Sequence, residues 1–585
     1  MSKEIGSPII FLTKYNRNNA TKLDENISSN IADEEKQNLL INYPTVYIIN
    51  EPNGSKRVNY TVYVGETNDI QRRTLQHLDA DPQNREDWEQ LRENNDALMF
   101  IIGHQHFNKS LTLDIENRMM HYLSGVNVVS HLNNRRENAQ NDYYTSEEMV
   151  PIFNKIWRKL HRSMPDLFPL QRIIEESALF KASPFHKLTR NQIHAKDEIL
   201  NIVDKSLSTG KENQLILVQG EAGAGKTVLM SNIFYDLAKQ GHHSLSVAMM
   251  VNHPQQEKVY QQIASKLDLG ENAKVIKVPT FINDYSSSNP IDIAFVDEAH
   301  LLLTQRSQAY YGHGTNELLD IIQRAKVVIA VYDEHQVLRL SQIIEKDDHK
   351  LIDNYVDYRV TLKNQMRIDA SQAMINWLRN LIDNQEITAA PSDNRYDLRV
   401  FDDPAEMQSA IQKKATKDET NGISRMLATF DWPYSSSKKK NGELWEVREG
   451  NWHMPWNLQI KPNKEDKRQI NGIKYSDLSW AEQPHTINEI GSTFTIQGSD
   501  LNYAGVEIGP SVKYRNGKII FDPSASSNKS AIQSRTMHDN SKKSFGEQLL
   551  RNEINVLLTR GVHGLYLHAV DPQLQAALKK AIRRI

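Results

Sequence analysis

The sequence predicts an α/β protein: a small α/β domain followed by two parallel-sheet domains. Three observations predict it. The chain has 585 residues, more than one hydrophobic core ordinarily serves. From about residue 185 onwards, apolar strand-like runs alternate with helical segments, the pattern of a parallel sheet with crossover helices. That alternation breaks and then resumes, which gives two such units in tandem.

Residues 1 to about 40 are polar and Asn-rich and read as a helix or an arm of low order. Strand-like runs at 45–50 ("TVYIIN") and 58–65 ("VNYTVYVG") flank Asn53-Gly54, a turn signal, and predict a β-hairpin. Helical patterns follow at 70–78, 87–94 and 111–123, with a strand at 97–102. Leu111, Ile115, Met119 and Tyr122 share one helical face, and Gly125 ends it. The first domain spans 1–160 on this reading. A helical connector with two prolines and a Ser-Pro step occupies 161–205. Strands at 215–219, 245–251, 293–296 and 327–332 place the first parallel sheet in 206–345. The runs "YRVTL", "LRVF", "SRMLATF", "GVEIG" and "GLYLHA" place the second in 346–585, with an insertion at about 434–475.

Composition narrows the function. Hydrophobic residues are 39% and charged residues 24%, ordinary for soluble globular protein. There is no cysteine, which excludes a disulfide framework and Cys-ligated zinc or iron–sulfur sites and fits a cytoplasmic location. The opening residues carry a short apolar patch interrupted by Pro8, without a signal peptide's apolar core. No run approaches the roughly 18 apolar residues of a membrane span. Net charge is −3, from 70 basic and 73 acidic residues, so a nucleic-acid surface must be a local basic groove.

Gly220, Gly225, Lys226 and Thr227 fit G-x-x-x-x-G-K-[ST], with Gly223 also in the loop. An apolar strand precedes the loop and a helix follows it. Glycines let backbone N–H groups wrap phosphates, and the helix N-terminus adds positive potential. Lys226 neutralises β/γ oxygens and Thr227 ligates Mg²⁺. Downstream, "IDIAFVDEAHLLL" runs a buried strand into Asp297 and Glu298. Asp297 is placed for the Mg²⁺ shell, and Glu298 for the attacking water. Gln192 is a candidate adenine reader. Asp333 and Gln336, in "VVIAVYDEHQ", are candidate γ-phosphate sensors. "QMR" ends in Arg367; "FTIQGSDLNYAGVEIG" brings Thr495, Gln497, Gly498 and Asp500; "NVLLTRG" brings Arg560. An arginine from a second lobe stabilises transition-state charge.

Residues of about 185 to 585 resemble superfamily 1 helicases, in particular the Schlafen-like group. The resemblance rests on "GEAGAGKT", "VDEAH", "YDEHQ", "QMR", "TIQGSDLNYAGV" and "NVLLTRG". It implies two RecA-like lobes with ATP in the cleft and single-stranded nucleic acid across the top. On that template Gln192, Lys226, Thr227, Asp297, Glu298, Gln336, Arg367 and Arg560 take the ATP-site roles. The "DEAH" tetrad is more typical of a sister superfamily, but its two acids keep their positions.

The upstream stretch carries a second chemistry. Tyr47 and Tyr63 close two adjacent strands. Arg73 and His77, four apart on a helix, share a face. Glu116 lies on a separate helix, and Asn133 and Asn134 follow. Tyrosine, arginine, histidine and one carboxylate form a phosphodiesterase set: the carboxylate holds a divalent metal, a tyrosine, with or without His77, moves a proton from water, and Arg73 stabilises building charge. Residues of about 43 to 136 resemble the GIY-YIG endonucleases, which implies Tyr47, Tyr63, Arg73, His77, Glu116 and Asn134 as the active site, with Asn133 competing with Asn134. "TVY" departs from the first signature; "YVG" keeps the second almost intact.

Trp432, Trp445, Trp452, Trp456 and Trp480 are interleaved with lysines. They suit either a strand-contacting insertion or a small subdomain with a tryptophan core, and the core is the commoner use. The expected function is an ATP-dependent helicase or translocase coupled to a Mg²⁺-dependent endonuclease, with ATP and Mg²⁺ as cofactors. Nucleic acid is the expected partner, DNA in preference to RNA, and no membrane is. Bacterial anti-phage defence is the expected context, with an oligomer or partner protein left open. The alternative is a nucleic-acid-sensing NTPase switch that gates the nuclease without unwinding.

Overall fold

The computed structural model describes the chain apart from residues 1–4, 54–58, 84–87, 90–93, 95, 134–142, 176, 221–222, 240–244, 253, 306–315, 363–366, 416–422, 438, 440–441, 470–477 and 583–585. It is a mixed α/β protein with two parallel sheets, as the alternation predicts. The contacts divide it into one unit of Met1–Lys187 with Lys239–Gly241 and Tyr260–Gly270, and a second unit holding the rest.

In the first unit β1 (Ile9–Lys14), β2 (Thr45–Asn53), β3 (Asn59–Thr67), β4 (Leu98–Gly103) and β5 (Val129–Asn133) form one sheet in the order β1-β4-β2-β3-β5. Only β3 and β5 are parallel; the other neighbours run antiparallel. The expected hairpin is β2 and β3, and its turn lies outside the described residues, as does most of the helix expected at 87–94. The Asn-rich start is more ordered than its composition suggests. Its apolar patch forms β1 on the sheet edge, because Ile9 to Lys14 pair with β4. Helix Ile70–Asp79 begins where Asp69 accepts from Arg72 N–H, and helix Lys109–Ser124 where Asn108 accepts from Leu111 N–H. The first unit also runs past the expected limit of 160. Leu167, Phe168, Ile174 and Leu179 of the connector are buried, and Phe168 meets Phe100 and Trp157 edge-on, so their apolar surface is buried within this unit.

In the second unit β6 (Gln214–Gly220), β7 (Val247–Val251), β8 (Ala273–Ile276), β9 (Ile291–Asp297), β10 (Ala325–Tyr332) and β11 (Val356–Leu362) form a parallel sheet in the order β11-β6-β10-β9-β7-β8. The run "YRVTL" therefore belongs here, beside β6, and not to the second sheet. The boundary expected at 345 falls one strand early, because an apolar run does not say which sheet it joins. The second sheet takes β12 (Asp397–Val400) and β13 (Ser424–Ala428). The hairpin β14 (Glu446–Glu449) and β15 (Trp452–Pro455) stands apart. Then come β16 (Ile490–Gly491) and β17 (Leu501–Ile508), the hairpins β18 (Val512–Arg515) with β19 (Lys518–Phe521) and β20 (Ser534–Thr536) with β21 (Lys542–Ser544), and β22 (Gly561–Ala569). The order is β12-β22-β17-β13-β16, all parallel. Trp456 is fully buried with Val447, Met454 and Tyr566, and Trp432, Trp445 and Trp452 pack against that cluster. The tryptophans of the insertion thus make a core. Trp480 is buried in the main core of the sheet. No helix among the described residues is long and apolar enough to cross a membrane.

Candidate functional site

In the second unit, β6 runs into the phosphate-loop sequence and helix Lys226–Lys239 leaves it. Gly223 and Gly225 have φ of 86° and 76°, the left-handed region that glycine enters without strain. A Cβ on Gly223 would stand 2.6 Å from Arg367 Cβ, so this glycine also lets the Arg367 segment close on the loop. A Cβ on Gly220 would meet Leu362 O at 2.8 Å. Thr227 sits half-buried in the first helical turn. Gln192 is engaged locally: its Oε1 accepts from Thr189 N–H, and its Nε2 donates to Gly225 O at 3.2 Å.

From Lys226 a line of polar contacts crosses to the second sheet. Lys226 Nζ lies 3.2 Å from Asp333 Oδ2, Gln336 Nε2 donates to the same oxygen at 2.8 Å, and Arg560 donates to Gln336 Oε1 at 3.2 Å. All four side chains are buried. Strand ends do the positioning. Asp333 and Gln336 follow β10, and Arg560 sits between helix Gly546–Leu558 and β22. Arg367 pairs with Asp500 at 2.6 Å. Burial, then the nearby Arg367 charge, hold Arg560 down to about 10 despite Asp500, Glu298 and Asp333. Burial pushes Asp333 up, but Lys226 and His300 outweigh it and leave the carboxyl below its usual value.

Asp297 ends β9, fully buried, and its Oδ1 accepts from Glu298 N–H. Glu298 has φ 54° and ψ 47°, left-handed for a residue with a Cβ. Burial raises its carboxyl, yet His300, Lys226 and Arg560 hold it down to about 2. His300 Nε2 lies 3.0 Å from Glu298 Oε2, and Gln497 reaches His300 Nε2 at 3.5 Å. Thr495 closes a capping box with Ser492, and Gly498 turns the chain at φ 82° before Asp500.

A second cluster lies in the first unit. Tyr47 faces Gly65 across the hairpin and Tyr63 faces Ile49, so the two phenols are diagonal neighbours on one face. Their rings stack at 5.9 Å. Gly65 is required here, because a Cβ would stand 2.5 Å from Tyr47 Oη. Tyr47 Oη lies 2.8 Å from His77 Nε2, and His77 Nδ1 lies 2.6 Å from Asp81 Oδ2. Trp88 stacks on the His77 ring at 3.8 Å. Burial pushes the Tyr47 phenol well up and the Tyr63 phenol up, and the Arg73 charge beside both opposes it. Glu116, buried on helix Lys109–Ser124, adds its own upward push on Tyr63.

The structure thus brings together Tyr47, Tyr63, Arg73, His77 and Glu116 in one unit. In the other it brings together Lys226, Asp333, Gln336, Glu298, Arg560, Arg367 and Asp500. Asn134 lies outside the described residues; Asn133 ends β5 opposite Tyr63. Sequence reasoning missed Asp81, Trp88 and His300. Asp81 had a signal, four residues after His77, and His300 completes the "DEAH" quartet. Trp88 had none.

An uncharacterized protein of Saccharomyces cerevisiae is 29% identical over 435 residues, 68% of this chain and 91% of the yeast protein. Solved structures of PRRSV helicase (11% identity, 62% of this chain, 54% of that one, TM-score 0.27) and of Pif1 helicase from Candida albicans (16%, 40% and 55%, 0.22) are similar. The chain spans about half the length of those two structures. The Schlafen group 3, DNA/RNA helicase domain matches residues 213–571, more than half the chain. This chain therefore belongs to the Schlafen group 3 helicase family.

Proposed function

We propose that the chain is an ATP-driven nucleic-acid motor joined to a metal-dependent endonuclease of the GIY-YIG type, acting on DNA. Family membership supports the motor. The observation that carries the nuclease is the convergence of Tyr47, Tyr63, Arg73 and His77, with Glu116 within electrostatic reach of Tyr63.

At the nucleotide site, the left-handed Gly223 and Gly225 fit a loop that turns backbone N–H groups towards phosphates. Lys226 would exchange Asp333 for the phosphate, Thr227 and Asp297 would hold magnesium, and Glu298, held ionised, would take the proton of the attacking water. Arg560 would bring the second sheet's positive charge to the γ-phosphate, with Gln336 of the first sheet accepting its hydrogen bond. Bound magnesium supplies further charge neutralisation at the phosphate oxygens.

At the nuclease site, no group of three or more metal-binding side chains occurs among the described residues. The Glu116 carboxylate fits magnesium, which keeps several waters and takes its remaining ligands from phosphate. When bound, the ion supplies positive charge at the scissile phosphate. The protein's own groups do the rest. Tyr47 with His77 draws the proton from water, and Arg73 faces the negative charge that builds up.

The test uses the full chain with ATP, magnesium and matched single-stranded, duplex and forked DNA and RNA. The expected result is nucleic-acid-stimulated ATP hydrolysis that Lys226→Ala abolishes, and cutting that Glu116→Ala abolishes. Undiminished cutting by Glu116→Ala refutes the nuclease assignment. Stimulated hydrolysis with no strand displacement makes the motor a switch.

A further inference from the structure

The nuclease reading leaves open what makes Tyr47 able to accept a proton, and this inference rests on that reading. Burial pushes the Tyr47 phenol well up, so it does not sit as a phenolate waiting for water. A protonated phenol accepts the proton of water only by passing its own to a second acceptor. The sole ring nitrogen placed for this among the described residues is His77 Nε2, 2.8 Å from Tyr47 Oη. Whether Nε2 accepts or donates depends on which ring nitrogen carries the hydrogen.

Asp81 decides it. Its Oδ2 lies 2.6 Å from His77 Nδ1, and a carboxylate can only accept there, so a hydrogen is on Nδ1 and, in the neutral ring, the lone pair is on Nε2. We propose that Asp81 is a positioning residue: it fixes His77 in the Nδ1–H form, and the line Asp81–His77–Tyr47 thereby delivers proton-accepting power to the hydrolytic water. Two further features support the geometry. Asp81 lies four residues after His77, just beyond the end of helix Ile70–Asp79, so backbone structure sets the pair. The Trp88 ring stacks on His77 at 3.8 Å and 12°, which fixes the imidazole plane with Nε2 towards the phenol. The carboxylate–histidine arrangement is the device by which hydrolases hold a histidine in its accepting tautomer.

The step balances. Water gives a proton to Tyr47 Oη as the Tyr47 proton passes to His77 Nε2. The hydroxide forms the new P–O bond, and the bond to the leaving oxygen breaks. That oxygen takes a proton from solvent, and His77 returns its proton to solvent. Asp81 offsets the charge of the transient imidazolium.

The experiment labels histidine with ¹⁵N in the full chain and assigns His77 by the signals lost in His77→Gln. The wild type is expected in the Nδ1–H form, Asp81→Asn is expected to lose that preference, and Asp81→Glu to keep it. In parallel, Asp81→Asn is expected to lower the kcat of cleavage by about 100-fold with KM little changed, and Asp81→Glu to recover most of the loss. A wild-type His77 in the Nε2–H or cationic form overturns the proposal. So does Asp81→Asn that keeps the Nδ1–H form, or that cuts at the wild-type rate. Failure of the nuclease reading looks different: no magnesium-dependent cutting by wild type that Glu116→Ala removes, with the ¹⁵N signals still reporting whether Asp81 sets His77.

Discussion

Arg560 offers the sharpest test of the motor site, because its burial makes the outcome of a conservative change calculable. Arg560→Ala removes the second sheet's charge and is expected to lower ATP turnover by about 10³-fold, the usual contribution of such an arginine. Arg560→Lys is more informative. Burial and the Arg367 charge hold the guanidinium at about 10, against an ordinary 12.5. The same burial and Arg367 charge push an ammonium at this position down from its ordinary value. A lysine there therefore loses its proton at a lower pH than the arginine does. The Arg560→Lys enzyme also lacks the planar fork that reaches Gln336 Oε1, Ser499 O and Val556 O together.

The expected profile follows directly. Turnover of Arg560→Lys starts at least about 10-fold below wild type at neutral pH and falls further as pH rises from about 6.5 to about 9.5, because only the protonated form serves. Wild-type turnover stays level through that window, since its own group remains protonated until about 10. Steady-state hydrolysis at saturating ATP and single-stranded DNA, measured at intervals from about pH 6.5 to about 9.5, reads both curves. An Arg560→Lys curve parallel to wild type across that range refutes the reasoning, since it means that position 560 does not present its charge from a buried site.

Gly65→Ala is expected to abolish magnesium-dependent cutting while leaving ATP hydrolysis intact, because the added Cβ stands 2.5 Å from Tyr47 Oη and must displace the phenol. Nuclease and ATPase assays on one preparation check it. Gly223→Ala is expected to weaken ATP binding at least about 10-fold, since φ of 86° disfavours a Cβ that also meets Arg367 at 2.6 Å; calorimetric titration with ATP measures it. Glu553→Gln is expected to raise the melting temperature above about pH 8 and change it little near pH 5. Burial, then Asp431, push Glu553 up to about 8. Its contribution is thus fully present below the ordinary carboxyl value and lost as pH rises to about 8, by up to about 5 kcal/mol. Melting curves across that range decide it.

Much of the fold was legible because strand and helix periods leave direct marks. The phosphate-loop, "VDEAH" and "YDEHQ" motifs lie at the ends of β6, β9 and β10. What was not legible is membership. The run at 356–362 reads as a strand in any sheet, and only its pairing with β6 assigns it. The connector's apolar residues read as joints between prolines, yet Phe168 and Trp157 bury each other. Ile9 to Lys14 sit within a polar stretch, and their edge position follows from a partner strand almost ninety residues on. Each miss concerns a long-range contact, which local spacing does not encode.

The two sites differ in the same way. Arg73 and His77 declare themselves by spacing, because a helix puts residues four apart on one face. Asp81 obeys that spacing too, but an acid beyond a helix end has many uses, and only the 2.6 Å contact with His77 selects one. His300 illustrates the converse. A histidine after two acids reads as part of a signature, yet its side chain lies between Glu298 and Gln497. It therefore touches both Glu298 and a residue leading into β17 of the second sheet. Glu298 and Gln497 thus meet at one imidazole, which is the largest influence opposing burial on the Glu298 carboxyl.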